Sequence, residues 1–274
     1  MSLAEPVILG LVQGVTEFLP VSSSAHLRIV GEFLPSARDP GATFTAITQI
    51  GTETAVLVYF RRDIARIVER WIGSFRGLAL ESDPDAKTGW LIIIGTVPIV
   101  VLGYCSRWQI RTVFRSLGLT GAVLIAFGVA LGLADRLGTG TKRLSDLSYR
   151  DGLLCGLAQA LALIPGVSRS GATTTIGLAL GYARPAITEY AFLLALPAVF
   201  GSGLFELVTS TPERKAYGAR ETAMATGVAF GVGLAVIAFL MRYISKRSYL
   251  PFALYRVLLG GSLLAMLSKG AVSS

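Results

Sequence analysis

Six continuous apolar stretches, at about 42–60, 88–106, 117–135, 187–208, 221–243 and 249–267, constrain this chain more than any other feature. Each is near the roughly 20 residues that a helix needs to cross a hydrocarbon core about 30 Å thick. With 274 residues, 53% hydrophobic and 15% charged, about six to eight such segments would use nearly the whole chain. A water-soluble globule, a repeat array and a disordered acidic tail are excluded. The expected fold is an all-α polytopic integral membrane protein, with 1–274 as a single membrane domain.

Two further apolar regions, about 6–31 and about 152–182, are broken in the middle by FLPVSSSAH (18–26) and IPGVSRSGATTT (164–175). A proline removes an amide donor and ends a helix, while Ser and Thr cap the next one. Each region therefore reads as two half-helices joined by a polar tip. Irregular backbone at membrane depth is tolerated only inside protein or against a water-filled cavity, so the tips should be re-entrant and should face a site.

The two regions resemble one another. QGVTEFLPVSSS (13–24) and QALALIPGVSRS (159–170) both run from Gln through an apolar half-helix to Pro and hydroxyls. Each is followed by three spans, which leaves the second half upside down relative to the first. The expected layout is an inverted repeat: 1–135 holds the hairpin at about 6–31 plus three helices, and 151–274 holds the hairpin at about 152–182 plus three helices. The site would lie at the repeat interface.

The 25 Lys and Arg against 17 Asp and Glu give a net charge of +8. In a soluble protein that would suggest nucleic acid. Here most cations fall in short connections, as in Arg61-Arg62, Lys142-Arg143 and Lys246-Arg247, where the positive-inside rule and anionic headgroups account for them. No exposed aromatic-and-basic face remains for a nucleic-acid strand. On this layout one side receives Arg61, Arg62, Arg66, Arg70, Arg76, Lys87, Arg136, Lys142, Arg143, Arg150, Arg184, Arg242, Lys246 and Arg247. The other receives Arg28, Arg38, Arg107, Arg111, Arg115, Arg214, Lys215, Arg220 and Lys269. The bias places both termini outside. The segment MSLAEP lacks the basic start of a cleaved signal, so the chain is expected to be mature from Met1. Cys105 and Cys155 have no CxxC spacing and no neighbouring His, and read as packing residues rather than zinc ligands.

Glu17, Glu53, Arg169, Glu189, Glu206 and Arg256 fall inside apolar runs, where an ionised group at the bilayer centre costs about 2.5–3.5 kcal/mol. Such groups must pair, neutralise or line a wet cavity. Glu206 and Arg256 lie near helix ends and are expected to snorkel or pair. Glu17 and Arg169 differ, because each belongs to a polar tip. Tips that meet at mid-membrane would gather Glu17, Ser22, Ser23, Ser24 and His26 with Ser168, Arg169, Ser170, Thr173 and Thr174.

Those groups suit a phosphate. The planar guanidinium of Arg169 grips it bidentately, and the amides of Gly166 to Gly171 at a helix start carry partial positive charge. Phosphoryl transfer asks for a clamp, a positioned oxygen nucleophile and a group that manages protons. Ser23 or water would attack, with Glu17 or His26 as base. The serines exceed what helix back-bonding needs, and two or three are expected to touch substrate. Gln13 and Glu17 share a helix face, and Glu53 lies with Gln49 in TQIGTETAV (48–56). Such oxygens suit Mg²⁺ or Ca²⁺, held mainly through substrate phosphates because the chain has no tight acidic cluster. A transporter of a phosphorylated lipid fits the same architecture, although transport needs no hydroxyl beside a base.

The motifs QGVTEFLPVSSSAH (13–26) and PGVSRSGAT (165–173), with TEYAFLLALP (188–197) and LPFALYR (250–256), resemble those of the undecaprenyl-pyrophosphate phosphatases linked to bacitracin resistance in bacteria. The resemblance covers both halves. It implies a bacterial plasma-membrane hydrolase that converts the C55 polyprenyl diphosphate to its monophosphate at a site open to the outer face, recycling the carrier for wall synthesis. By motif position it implies a metal or acid-base pair on Gln13 and Glu17, with Mg²⁺ or Ca²⁺ as the cation. The nucleophile falls on Ser23, a histidine of disputed role on His26, and the phosphate-gripping arginine on Arg169. Phosphate-binding hydroxyls fall on Ser22, Ser168, Ser170 and Thr173, with Ser24 beside them. Two positions depart from the pattern: Gln13 replaces what is often Glu, and Ala25 what is often Gly. The first leaves Glu17 as the sole acid of its box. Membrane lipids and the polyprenyl diphosphate are the implied partners, and a homodimer stays open.

Overall fold

The computed structural model describes residues 3–35, 40–77, 83–106, 116–209 and 217–270. These form α1 (Ala4–Thr16), α2 (Ser23–Phe33), α3 (Gly41–Tyr59), α4 (Arg61–Phe75), α5 (Pro84–Cys105) and α6 (Leu117–Leu137), then α7 (Tyr149–Ala160), α8 (Arg169–Ala179), α9 (Arg184–Thr209), α10 (Ala219–Ile244) and α11 (Leu250–Ser268). Their starts follow local chemistry. Asp83 accepts the amides of Asp85 and Ala86 ahead of Pro84, and Ser148 accepts that of Asp151.

Helices α5, α6, α9, α10 and α11 are each long and apolar enough to cross a membrane. The remaining expected stretch, 42–60, is α3. Its threonines, Gln49 and Glu53 make it less apolar than those five, and Thr48 and Thr54 turn their hydroxyls back onto the carbonyls of Phe44 and Ile50. Helix α4 was not expected from apolar runs. It is amphipathic, with Arg61, Arg62, Glu69 and Arg70 exposed and Ile67 buried. Arg66 pairs with Asp63 at 2.9 Å and with Asp85 at 2.7 Å, tying α4 to the start of α5. Of the cations assigned to the sparser side, Arg38, Arg107, Arg111, Arg115, Arg214 and Lys215 lie outside the described residues.

Both broken regions form paired short helices. Helix α1 ends at Thr16, a turn carries Pro20, and α2 begins at Ser23. Helix α7 passes into a short 3₁₀ turn, Leu161–Leu163, before Pro165 and the start of α8 at Arg169. Among the described residues the only non-glycine residues with positive φ are Ser22 (73°) and Ser168 (68°), each immediately before the second helix of its pair. That conformation costs on the order of 1–3 kcal/mol and persists only where neighbouring structure enforces it. The turns superpose in sequence: Val21, Ser22, Ser23 and Ser24 stand where Val167, Ser168, Arg169 and Ser170 stand.

Helix pairing crosses between the halves. Helix α1 packs on α10, α7 packs on α5, α3 lies against both α9 and α10, and α6 pairs with α11. Close approach needs glycine at the crossings. A Cβ on Gly10 of α1 would lie 2.6 Å from the Ala225 carbonyl oxygen of α10, and one on Gly156 of α7 would lie 2.4 Å from that of Gly95 in α5. The first turn is fixed further by Phe18, which is buried and meets Phe192 of α9 edge-on at 5.3 Å.

Candidate active site

Glu17, the residue after α1, is the hub at which the two turns meet. Its Oε2 accepts from Gln13 Nε2 at 2.6 Å and from Ser23 Oγ at 2.5 Å. Its Oε1 accepts a hydrogen bond from Nη2 of Arg169, 152 residues away in sequence. Ser170 Oγ donates to the Glu17 carbonyl at 3.4 Å. Glu53 reaches in from α3, with Oε1 3.9 Å from the same Arg169 Nη2. The carboxylates are nearly inaccessible, at 6% for Glu17 and 2% for Glu53, while the Arg169 side chain keeps 16% exposure. A guanidinium donor therefore remains open to an incoming anion.

The hydroxyls are arranged in matching pairs. Ser22 and Ser24 lie 3.2 Å apart, Ser168 and Ser170 3.3 Å apart, and Ser168 Oγ also caps the Gly171 amide at 3.2 Å. Three buried polar atoms near this cluster make no hydrogen bond: Gln13 Oε1, Glu53 Oε2 and Thr173 Oγ1. Buried polar atoms are rarely left so in a folded protein, and two acceptors and a hydroxyl are what a cation–phosphate ligand would satisfy. Among the described residues no three His, Cys, Asp or Glu side chains gather as a metal cluster.

Gln13, Glu17, Ser23, Arg169 and Ser170 are thus brought together by direct bonds. His26 is turned elsewhere. Its Nδ1 lies 2.7 Å from the Ser22 carbonyl, which can only accept, so Nδ1 carries the proton. Nε2 then accepts from Tyr255 Oη at 2.7 Å. Both ring nitrogens are occupied, and Glu17 rather than His26 contacts the Ser23 hydroxyl.

Three other charged residues of the apolar runs make no bond to Glu17 among the described residues. Glu206 accepts from Thr43 Oγ1 at 2.8 Å, and Glu189 lies within electrostatic reach of Asp63, Arg66 and Asp85. Arg256 corrects the expectation of snorkelling or pairing. It is fully buried, and none of the ion pairs among the described residues includes it. Its Nη1 donates to the Pro20 carbonyl at 3.1 Å, and its Nη2 to the carbonyls of Gly166 at 2.6 Å and Val167 at 3.0 Å. Arg256 is the seventh residue of α11, and its burial is set by the two turns packed around it rather than by its distance from the helix end.

Residues 6–262 match the family described as bacitracin resistance protein BacA. The chain is 63% identical to the undecaprenyl-diphosphatase of Micrococcus luteus and 58% identical to that of Clavibacter michiganensis subsp. michiganensis, each match covering all of both chains. It is 55% identical to undecaprenyl-diphosphatase 2 of Agrobacterium fabrum, over all of this chain and 99% of that one.

Proposed function

The chain belongs to the bacitracin resistance protein BacA family, and from that premise we propose that it is an integral-membrane undecaprenyl-diphosphatase, which removes the terminal phosphate of the lipid diphosphate. The observation that carries the reading is the convergence of Glu17, Ser23 and Arg169 from two hairpins.

Ser23 Oγ attacks the terminal phosphorus and gives its proton to Glu17, the carboxylate already bonded to it. The bond from phosphorus to the bridging oxygen breaks, and the lipid monophosphate leaves. Glu17, having passed that proton to the departing bridging oxygen, takes one from the water that attacks the phosphoserine and returns it to Ser23 Oγ as inorganic phosphate leaves. Arg169 spreads the equatorial charge, aided by the Ser168 and Ser170 hydroxyls and the amides at the start of α8. Ser22 and Ser24 line the other side, with Thr173 offering its unpartnered hydroxyl. His26 holds the Ser22 carbonyl rather than moving protons. Mg²⁺ or Ca²⁺ fits the oxygens of Gln13, Glu17 and Glu53 together with substrate phosphates, and when bound it would neutralise phosphate charge.

The lipid tail takes the lateral groove between the α1–α2 hairpin and α11. This apolar space of about 570 Å³ is lined by Leu11, Val15, Leu19 and Phe252, and by His26 and Tyr255. The hairpins are re-entrant, α3 makes a sixth crossing, and 1–135 and 151–274 form inverted repeats. Reciprocal packing of α1 on α10 and α7 on α5 supports that layout. Both termini and the site's opening face the outside of a bacterial plasma membrane.

A flippase of the same architecture would need binding groups only. The Ser23–Glu17 bond favours hydrolysis. Given undecaprenyl diphosphate in detergent with Mg²⁺ or Ca²⁺, the protein should yield lipid monophosphate and inorganic phosphate in equal amounts. Free polyprenol, or binding with no product, would contradict the reading.

A further inference from the structure

We propose that Arg256 is a positioning residue that holds the Ser23 turn and the Arg169 turn in fixed register, so that both close on one phosphoryl group. This rests on the diphosphatase reading and extends it to a residue whose hydrogen bonds, among the described residues, go to neither Ser23 nor Arg169.

Arg256 reaches equivalent points of both turns. Pro20 and Gly166, whose carbonyls accept from Nη1 and Nη2, each lie two residues before a positive-φ serine and three before Ser23 or Arg169. One planar fork thus spans two turns that come from opposite halves of the chain. A strained turn needs outside support, and here a single side chain supports both Ser22 and Ser168. Burying a guanidinium away from any carboxylate is expensive, and carbonyl dipoles offset only part of that cost. An anionic substrate between the turns would supply the missing negative charge. The site is also shaped to admit this fork: a Cβ on Gly171 would lie 2.9 Å from Arg256 Nη1.

Lysine keeps the charge but offers one point rather than a fork, so it cannot hold both turns at once. Misplacement of reacting groups by about 1 Å can lower turnover by about 10²-fold. The full chain, purified in detergent, should be assayed for phosphate release as wild type, Arg256→Lys and Gly171→Ala, with helical content and thermal midpoint recorded for each. Arg256→Lys is expected to lower kcat by about 10²-fold while KM moves less than about threefold. Gly171→Ala, whose Cβ would lie 2.9 Å from Arg256 Nη1 and also 3.1 Å from Ser168 Cβ and 3.2 Å from Ser168 Oγ, should lower kcat by about tenfold in the same pattern.

The discriminating comparison is Arg256→Lys made in an Arg169→Lys background. Where alignment with the Arg169 fork is the function of Arg256, the second substitution should cost less than about tenfold, a non-additive result. Near-wild-type kcat in Arg256→Lys overturns the inference, as does the same fold loss in both backgrounds, which a simple loss of folded protein would give. Should Arg256→Lys not fold, unchanged kcat in Gly171→Ala overturns it. Wild type that releases no phosphate overturns both the inference and the reading beneath it.

Discussion

Replacing Arg169 by alanine is expected to lower kcat for phosphate release by on the order of 10³-fold. Among the described residues the side chain is the sole cation bonded to Glu17, and it keeps 16% exposure beside a largely buried carboxylate. In such a setting a charge-assisted, bidentate contact with phosphate is strong, and water cannot replace it at the moment of transfer. The alanine variant also strips Glu17 of its partner and so misplaces the acceptor for the Ser23 proton. Lysine should restore about tenfold of the loss, because a point charge reproduces attraction but not the fork. Steady-state kinetics on folded, detergent-purified protein would check this. An alanine variant with near-normal turnover would remove Arg169 from the site, and full rescue by lysine would rule out the bidentate grip.

Glu17→Gln should be nearly as severe, with kcat lowered by about 10³-fold. The amide keeps the shape of the side chain but cannot take the Ser23 proton. It also leaves Arg169 with Glu53, at 3.9 Å, as its remaining carboxylate neighbour. Removing one member of a buried ion pair strands the other, so the thermal midpoint should fall as well. The double variant Glu17→Gln/Arg169→Gln should recover part of that midpoint, because Glu53 then loses Arg169, without recovering activity. A Glu17→Gln enzyme that turns over normally would remove Glu17 as the base. A double variant as unstable as the single one would contradict the charge-pair account of stability.

Much of this fold was legible in the sequence because the signals were local. The runs that became α5, α6, α9, α10 and α11 are apolar over a membrane's thickness, and Pro20 and Pro165 with their hydroxyls mark where two helices break. The meeting of Glu17, Ser23 and Arg169 was legible because charges and hydroxyls in apolar surroundings demand partners. Helix α4 was not, since alternating Arg, Asp and Ile between spans reads as a connection until its apolar face finds α5. The tie from Arg256 to Pro20 joins residues 236 apart, and the bond from Tyr255 to His26 spans 229. No local pattern encodes either. His26 lies three residues beyond Ser23, and its ring nitrogens meet the Ser22 carbonyl and Tyr255, contacts that its spacing from Ser23 does not foretell.

The most direct test is inorganic phosphate release from undecaprenyl diphosphate by purified wild type and by Ser23→Ala, with lipid binding measured alongside. The account predicts steady turnover by wild type, a loss of about 10³-fold or more in Ser23→Ala, and lipid affinity nearly unchanged between them. Wild type that binds the lipid but releases no phosphate, or a Ser23→Ala protein that turns over like wild type, would contradict it.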